Sequence, residues 1–328
     1  MKRGLVLLDP AEIPAAQWRD RVATLQRRMR AEGVDVALIY GDVSRSDDIA
    51  YLTNLCIYWN EGVLAVPADG DPVFLTKLSQ RVHPWMRRTS TVTDVRSGKS
   101  FGPLIAGYLH PPDGQSQDGH SGDGAAASTV GLVDARLWPS AVIEEIAGEV
   151  TAVPGLRVKH LGGMVREQRL LPSAHELALL RHAADVLAGA ADQAARPGLT
   201  ATARAAIVER ELRGAGFLDV LARTGDAADG AGTLQVTGQY RNLWVHVSRL
   251  VTGNAGGGDG SPGWPGAMRD ALGAAVRAAG DGVSAAQLTA VAGPALAGLP
   301  PGAASEVRWV NQADMASGGE YADYPADL

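Results

Sequence analysis

The chain has 328 residues, of which 46% are hydrophobic and 20% charged, and a formal net charge of −6. That length suits two domains, or one large one, and the composition is ordinary for a globular protein. The acidic balance gives no electrostatic footing for nucleic acid, so none is expected as a partner. The single cysteine, Cys56, cannot close an internal disulfide, which points to a reducing compartment and a cytoplasmic location. The apolar run after Met1-Lys2-Arg3 is too short for a signal peptide, and no stretch of about 18 apolar residues predicts a membrane span.

Trp18 to Glu32 predicts an amphipathic helix with Val22, Leu25 and Met29 on one face. Gly33 ends it, and Val34 to Tyr40 reads as a buried strand. A polar loop, 41–48, precedes Ile49-Ala50-Tyr51-Leu52-Thr53-Asn54. Glu61 to Pro67 and Val73 to Thr76 read as strands joined by a turn at Asp69-Gly70-Asp71-Pro72. Residues 111–128 are rich in Gly, Asp, Ser and Ala, a composition expected of a mobile loop. Val130 to Asp134 predicts a strand, Trp138 to Glu149 a helix, and Leu156 to His160 a short strand.

Ser173 and Glu176 have the spacing of a capping box for a helix running from Ala174 to about Ala195. Thr200 or Thr202 caps the next helix, which Gly214 and Gly216 close. Residues 224–233 read as a Gly-rich loop, and Leu234 to Val251 as sheet. A flexible loop is expected over 253–266, helices over 267–279 and from Ser284 to about Ala292, and a final strand at Val307 to Val310. His175 and His182 lie two turns apart on one helix, poor spacing for a metal site, and read as surface residues.

The run Gln235-Val236-Thr237-Gly238-Gln239-Tyr240-Arg241-Asn242-Leu243-Trp244-Val245-His246-Val247-Ser248-Arg249 carries the most information. It resembles the sheet segment Asp-Ile-Gly-Ala-x-Tyr-x-Gly-Tyr-x-Ser-Asp-Ile-Thr-Arg of the creatinase/prolidase/aminopeptidase P superfamily, the pita-bread fold. Gly238 (one place off), Tyr240, Ser248 and Arg249 fit the frame. Residues 23–76 are similar to the family's N-terminal domain, with Tyr51-Leu52-Thr53 and Pro67-Ala68-Asp69-Gly70-Asp71-Pro72 matching its motifs. Pro172-Ser173-Ala174-His175-Glu176-Leu177 resembles its interdomain join. The resemblance implies a mixed α/β (α+β) fold, with a creatinase-like N-terminal domain over 1–165 and a shortened pita-bread domain over 166–328.

The family's peptidases hold two metal ions with Asp, Asp, His, Glu and Glu, whose hard ligands activate a water. The two aspartates fall on Gln235 and His246. The histidine motif falls near Trp309 to Ala316, which has no histidine, and the chain stops short of the late glutamates. The resemblance therefore implies a metal-free relative with no cofactor. Creatinase is such a case: it hydrolyses a C–N bond with a histidine acid/base.

His246 is then the acid/base candidate, since imidazole titrates near neutral pH without metal, although a half-exposed strand residue looks the same in sequence. Arg249 is the substrate-anchoring candidate, weighed against a structural ion pair. Tyr240 and Trp244 stand at even spacing from His246, so one regular strand would point all three the same way. With Gln235, Trp309, Asn311 and Glu320 they make the expected pocket wall. Trp59 and Glu61 are candidates from the N-terminal domain, which in dimeric relatives completes the partner's site.

The expected function is metal-independent chemistry on a small amide, guanidino or amino-acid-like substrate, by C–N hydrolysis or a proton-transfer step, in a homodimer and in specialised or amino-acid metabolism. The alternatives are an inactive binding or scaffold relative, and a decaying sequence, against which the surviving helix caps and apolar periodicity speak.

Overall fold

The computed structural model describes residues 9–43, 45–57, 60–110, 128–151, 155–226, 231–252, 264–280 and 282–297. It has the mixed α/β architecture expected and divides into two compact units, Met1–Leu179 and Leu180–Leu328, with the division inside the helix Ala174–Ala194.

In the first unit, α1 (Ala15–Ala31) buries Trp18, Leu25 and Met29 at helical spacing and carries its arginines outward apart from Arg21. β1 (Val36–Gly41) is buried along its whole length. The polar loop expected over 41–48 is shorter than the sequence implies. From Asp47 the chain turns into α2 (Asp47–Thr53), whose first turn carries two aspartates, a charge sign that suits a helix N-terminus. Asn54, at φ 62°, ends it in the left-handed region. There follow β2 (Gly62–Pro67), β3 (Val73–Thr76), α3 (His83–Thr89), β4 (Asp94–Ser97), α4 (Phe101–Leu109), β5 (Thr129–Val133), α5 (Ser140–Thr151), β6 (Arg157–Leu161) and α6 (Met164–Arg169).

The strands form one sheet in the order β4-β3-β2-β1-β5-β6, with β2 antiparallel to both of its neighbours and the other pairings parallel. Helices cover both faces. Leu25, Met29, Leu52, Leu64 and Phe74 lie in the core on one side. Leu38, Val63, Leu75, Phe101 and Val142 lie in the core on the other. Burial on both faces explains why these strands read as continuous apolar runs rather than alternating ones.

A buried polar cluster ties the start of the first unit to its end. Arg21 donates to the Tyr51 carbonyl at 2.8 Å and to Glu176 Oε1 at 2.8 Å, with its guanidinium over the rings of Trp18 and Tyr51. Both side chains of the ion pair are almost fully buried, at 6% and 5% exposure. The Ser173 N–H donates to Glu176 Oε2, and the Glu176 N–H donates to Ser173 Oγ, so the expected capping box is present at the start of α7 (Ala174–Ala194). One carboxylate thus serves both the helix cap and the buried arginine.

In the second unit, α8 (Ala201–Gly214) starts at the Thr200 cap, where Thr200 Oγ1 accepts from the Ala203 N–H. Next come β7 (Asp219–Asp226), β8 (Ala231–Tyr240) and β9 (Leu243–Thr252), antiparallel in that order. The loop expected over 224–233 is therefore strand at both ends; pairing with Thr233 and Gly232 keeps Gly225 and Asp226 extended despite their turn-like composition.

The other correction has more effect on the site. Leu234 to Val251 is not one regular strand. Arg241 and Asn242, at φ 48° and 65°, form a two-residue turn that joins β8 to β9. Positive φ at both central residues is what a tight hairpin needs to match strand twist. The unit continues with α9 (Trp264–Ala278) and α10 (Ala285–Leu296), which pack on each other through Ala271, Ala275 and Ala292; Ser284 and Gln287 form a capping box at α10. Val307 to Val310 lies outside the described residues.

Candidate functional site

The turn at Arg241-Asn242 fixes the register of the small sheet. Counting outward from it, Gln239 opposes Trp244, Thr237 opposes His246 and Gln235 opposes Ser248; on the far side Asp219 opposes Gln239, Leu221 opposes Thr237 and Arg223 opposes Gln235. Directly opposed residues share a face. One face therefore carries three cross-strand rows: Asp219-Gln239-Trp244, Leu221-Thr237-His246 and Arg223-Gln235-Ser248. The first row is buried, with Trp244 at 2% exposure, and burial decreases toward Gln235 and Ser248, which are exposed.

The opposite face packs against helix side chains. Gly238 shows this most directly. A methyl group there would lie 2.6 Å from the Phe217 ring and 3.0 Å from Leu187, so only glycine lets the strand lie this close. Tyr240 belongs to this face. It stacks against Phe217 at 5.3 Å between ring centroids and meets His182 edge-on at 5.6 Å.

The expectation that Tyr240, Trp244 and His246 point the same way is corrected here, because the turn between Tyr240 and Leu243 puts Tyr240 on the helix side. Arg249 is also parted from His246. It lies on the helix face, where its Nε donates to Asp192 Oδ1 at 2.5 Å. This is the structural ion pair that stood as the alternative to an anchoring role. Trp244, His246 and Gln235 are brought together on the polar face. Trp309, Asn311, Glu320 and Trp59 lie outside the described residues.

His246 sits between two hydroxyls. Its Nδ1 is 2.8 Å from Thr237 Oγ1 and its Nε2 is 3.1 Å from Ser248 Oγ. Burial holds its pKa below the ordinary histidine value, so the ring is neutral at physiological pH. Thr237 is itself buried, at 3% exposure, which fixes the ring from its inner side. Sequence reading missed Thr237 because its relation to His246 is cross-strand. The Arg-Asn pair between two apolar-alternating runs was the available signal for the turn, and the register follows from it.

Glu61 belongs to the first unit. It accepts from the Tyr40 hydroxyl at 2.7 Å and pairs with Lys77 at 2.8 Å. Burial pushes its pKa up, but the hydrogen bonds from Lys77 and Tyr40 outweigh this and leave it below the ordinary value. Burial and the Glu61 carboxylate push the Tyr40 phenol well above its own. Glu61 lines a small recess, open to solvent, whose walls include Ile57, Phe74, Trp85 and Met86, with Asn60 beside it.

A family model described as Creatinase/Prolidase N-terminal domain matches residues 21–171. The prolidase from Pyrococcus horikoshii OT3 has a similar structure, with a TM-score of 0.64 at 16% identity, covering 85% of this chain and 77% of its own. So does the X-Pro aminopeptidase from Thermotoga maritima MSB8, with a TM-score of 0.66 at 17% identity, covering 84% and 77%. Residues 21–171 form a creatinase/prolidase N-terminal domain, and the chain shares the fold of these peptidase structures. The aminopeptidase PepP of Pseudomonas aeruginosa agrees, with a TM-score of 0.64 at 16% identity, over 89% of this chain and 73% of its own. No curated protein sequence matches the chain.

The pita-bread fold implies a two-metal centre, and the donors here do not fit one. Gln235 offers a neutral amide, a poor ligand for a hard cation. Both ring nitrogens of His246 are engaged by hydroxyls. Among the described residues no three of His, Cys, Asp and Glu come together in a way that could hold a metal ion. The stretch 309–316 lies outside the described residues. No described helix is long and apolar enough to cross a membrane.

Proposed function

We propose that this pita-bread protein is a hydrolase that works without metal, with His246 as its acid/base, on a small amide, guanidino or amino-acid-like substrate. The observation that supports the reading is the setting of His246: an imidazole whose pKa is lowered by burial, held through Nδ1 by a buried threonine on the polar face of the sheet. A general base must be unprotonated at working pH and held in one orientation; burial of the ring supports the first and its Thr237 contact the second. The coarser part, a hydrolase-like pita-bread protein, follows from the relatives, which include prolidases and aminopeptidases.

The mechanism needs little beyond this. A nucleophile loses its proton to His246 as it attacks a carbonyl or amidine carbon, and the protonated ring returns that proton to the leaving nitrogen. Asp219, on the same face, and Trp244 give the inner wall a carboxylate and an apolar surface.

The test combines elemental analysis of the purified protein with a panel of small amides, guanidines and amino acids. The expected result is no stoichiometric metal, turnover of one panel member, and a loss of about 100-fold or more in His246→Ala. Stoichiometric metal that supports turnover overturns the reading.

The reading includes a homodimer in the cytoplasm. The lone buried cysteine, Cys56, suits a reducing compartment, and light scattering giving a clean monomer would remove the dimer. A binding role has its own support in the recess beside Glu61, which has apolar walls and a polar rim. Saturable binding of a small ligand, lost on Trp85→Ala and untouched by His246→Ala, would favour it.

A further inference from the structure

We infer that Ser248 is a nucleophile activated by His246, which would make the site a serine-based acyl-transfer centre that forms a covalent ester with its substrate. The inference deepens the reading above and rests on it for the role of His246.

Three side chains carry it. Ser248 Oγ lies 3.1 Å from His246 Nε2, and Thr237 Oγ1 lies 2.8 Å from His246 Nδ1. A nucleophile within hydrogen-bond reach of a base, with a third group orienting the base, is the arrangement that activates a hydroxyl. The three differ in exposure in the way the chemistry needs. Thr237 is buried, His246 is intermediate and Ser248 is exposed, so the orienting group lies inside and the nucleophile faces the substrate. With Nδ1–H donating to Thr237 Oγ1, Nε2 is the acceptor and Ser248 O–H donates to it. Burial keeps the ring in that neutral form.

The next row supplies the remaining part. Gln235 opposes Ser248 directly, and its side chain is exposed. Opposed residues hold their Cβ atoms about 5 Å apart, so the Gln235 amide N–H can reach an oxyanion formed beside Ser248, as a neutral donor aimed at developing charge. Gln235 is a poor metal ligand and a suitable oxyanion donor, which gives the replaced position a chemical use. Arg223 stands in the same row beyond Gln235, its backbone two strand spacings from Ser248.

The step balances as follows. Ser248 Oγ attacks an acyl carbon and forms the Oγ–C bond, while its proton passes to His246 Nε2. The tetrahedral adduct collapses, the C–N or C–O bond breaks, and the leaving group departs with the proton from Nε2. Water attacks the acyl-serine, His246 takes its proton, the Oγ–C bond breaks and Ser248 regains its proton. The substrate class is a small carboxylic ester or amide, and no electron acceptor or metal is needed.

The test is active-site labelling of the full chain. A fluorophosphonate probe would attach through Ser248 Oγ to phosphorus and release fluoride. The expected result is one adduct per chain, mapped to Ser248 by peptide mass spectrometry and absent in Ser248→Ala. Labelling should slow by about 100-fold or more in His246→Gln and by about tenfold in Thr237→Val. Ser248 is exposed, so its alanine variant should keep the parent thermal midpoint, and circular dichroism confirms folding of the other two.

No adduct, an adduct elsewhere, or labelling as fast in folded His246→Gln as in the parent overturns the inference. The two levels separate cleanly. Amide turnover that survives in Ser248→Ala but is lost in His246→Ala leaves the acid/base reading standing and removes the nucleophile. A His246-dependent adduct at Ser248, with no hydrolysis of any nitrogen-linked substrate, keeps the nucleophile and removes the proposed C–N hydrolysis.

Discussion

The two units use their polar groups in opposite ways. In Met1–Leu179 polar and charged side chains turn inward and are spent on holding the chain together: Arg21 with Glu176, Arg169 with Asp48 at 2.8 Å, and Glu61 with Lys77. In Leu180–Leu328 the small sheet puts its apolar residues against helices and leaves Thr237, His246, Gln235 and Ser248 on the other face. A sheet covered on both faces leaves polar chemistry only its strand ends and loops, where the recess beside Glu61 lies. The three-stranded sheet of the second unit has a face that is buried at Asp219, Gln239 and Trp244 and exposed only at its Arg223, Gln235 and Ser248 end. The lesson is that the same superfamily scaffold keeps stability and candidate chemistry on different sheets, so changes in one should be separable from changes in the other.

The largest expected effect tests the inward network. Glu176→Ala leaves Arg21 buried without its carboxylate and removes half of the capping box, and should destabilise the first unit by about 3–5 kcal/mol. Chemical denaturation followed by tryptophan fluorescence reports it. A change below about 1 kcal/mol would mean that water replaces the carboxylate and the pair is not buried as described. Gly238→Ala tests the second unit in the same way. Its methyl would meet the Phe217 ring and Leu187, and the overpacking should cost about 1–3 kcal/mol. A neutral result in a thermal melt would show that the helix face can give way.

The pH dependence compares a histidine in each unit. His83, whose Nε2 lies 2.6 Å from Ser97 Oγ, and His246 both have pKa values held below the ordinary histidine value of 6.5, in each case chiefly by burial. The unfolded chain therefore takes up these protons more readily than the folded one. Stability should be complete above the unfolded pKa of 6.5 and fall as pH drops below it toward the folded values. Denaturation midpoints at a series of pH values check this, and His83→Gln and His246→Gln should each flatten the slope. A titration of His246 at or above 6.5 by NMR would contradict its burial and weaken its role as a neutral base.

Two smaller effects sharpen the description of the second sheet. Arg241 holds φ 48° in the turn, a conformation that costs a side-chain-bearing residue about 1–2 kcal/mol relative to glycine. Arg241→Gly should stabilise by about 1 kcal/mol, and a loss instead would show that the guanidinium over Tyr240 matters more than the turn. Arg249→Ala removes a partly exposed ion pair with Asp192 and should change stability by less than about 1 kcal/mol, with turnover intact. A large loss of turnover without a change in the melt would return Arg249 to the substrate.

The sequence by itself determined most of the elements and the creatinase-like N-terminal domain. Apolar runs without alternation announced strands buried on both faces, and the Ser173–Glu176 spacing announced a capped helix. These are local or positional signals, and a single chain displays them in order. It marked the turn at Arg241-Asn242 only faintly, because neither residue is glycine and the one signal is the shift of the apolar alternation from even positions before the pair to odd positions after it. Missing that turn reversed the side of the sheet assigned to Tyr240, since side chains alternate with a period of two and a fold-back resets the count. Only the tertiary structure decided which residues stand together. It set Thr237 and Ser248 on either side of the His246 ring, sent Arg249 to Asp192, and gave Glu176 to Arg21. The reason is physical: hydrogen-bond partners across a sheet or between helices are fixed by register and packing, and residues far apart in the chain carry no mark of each other in a single sequence.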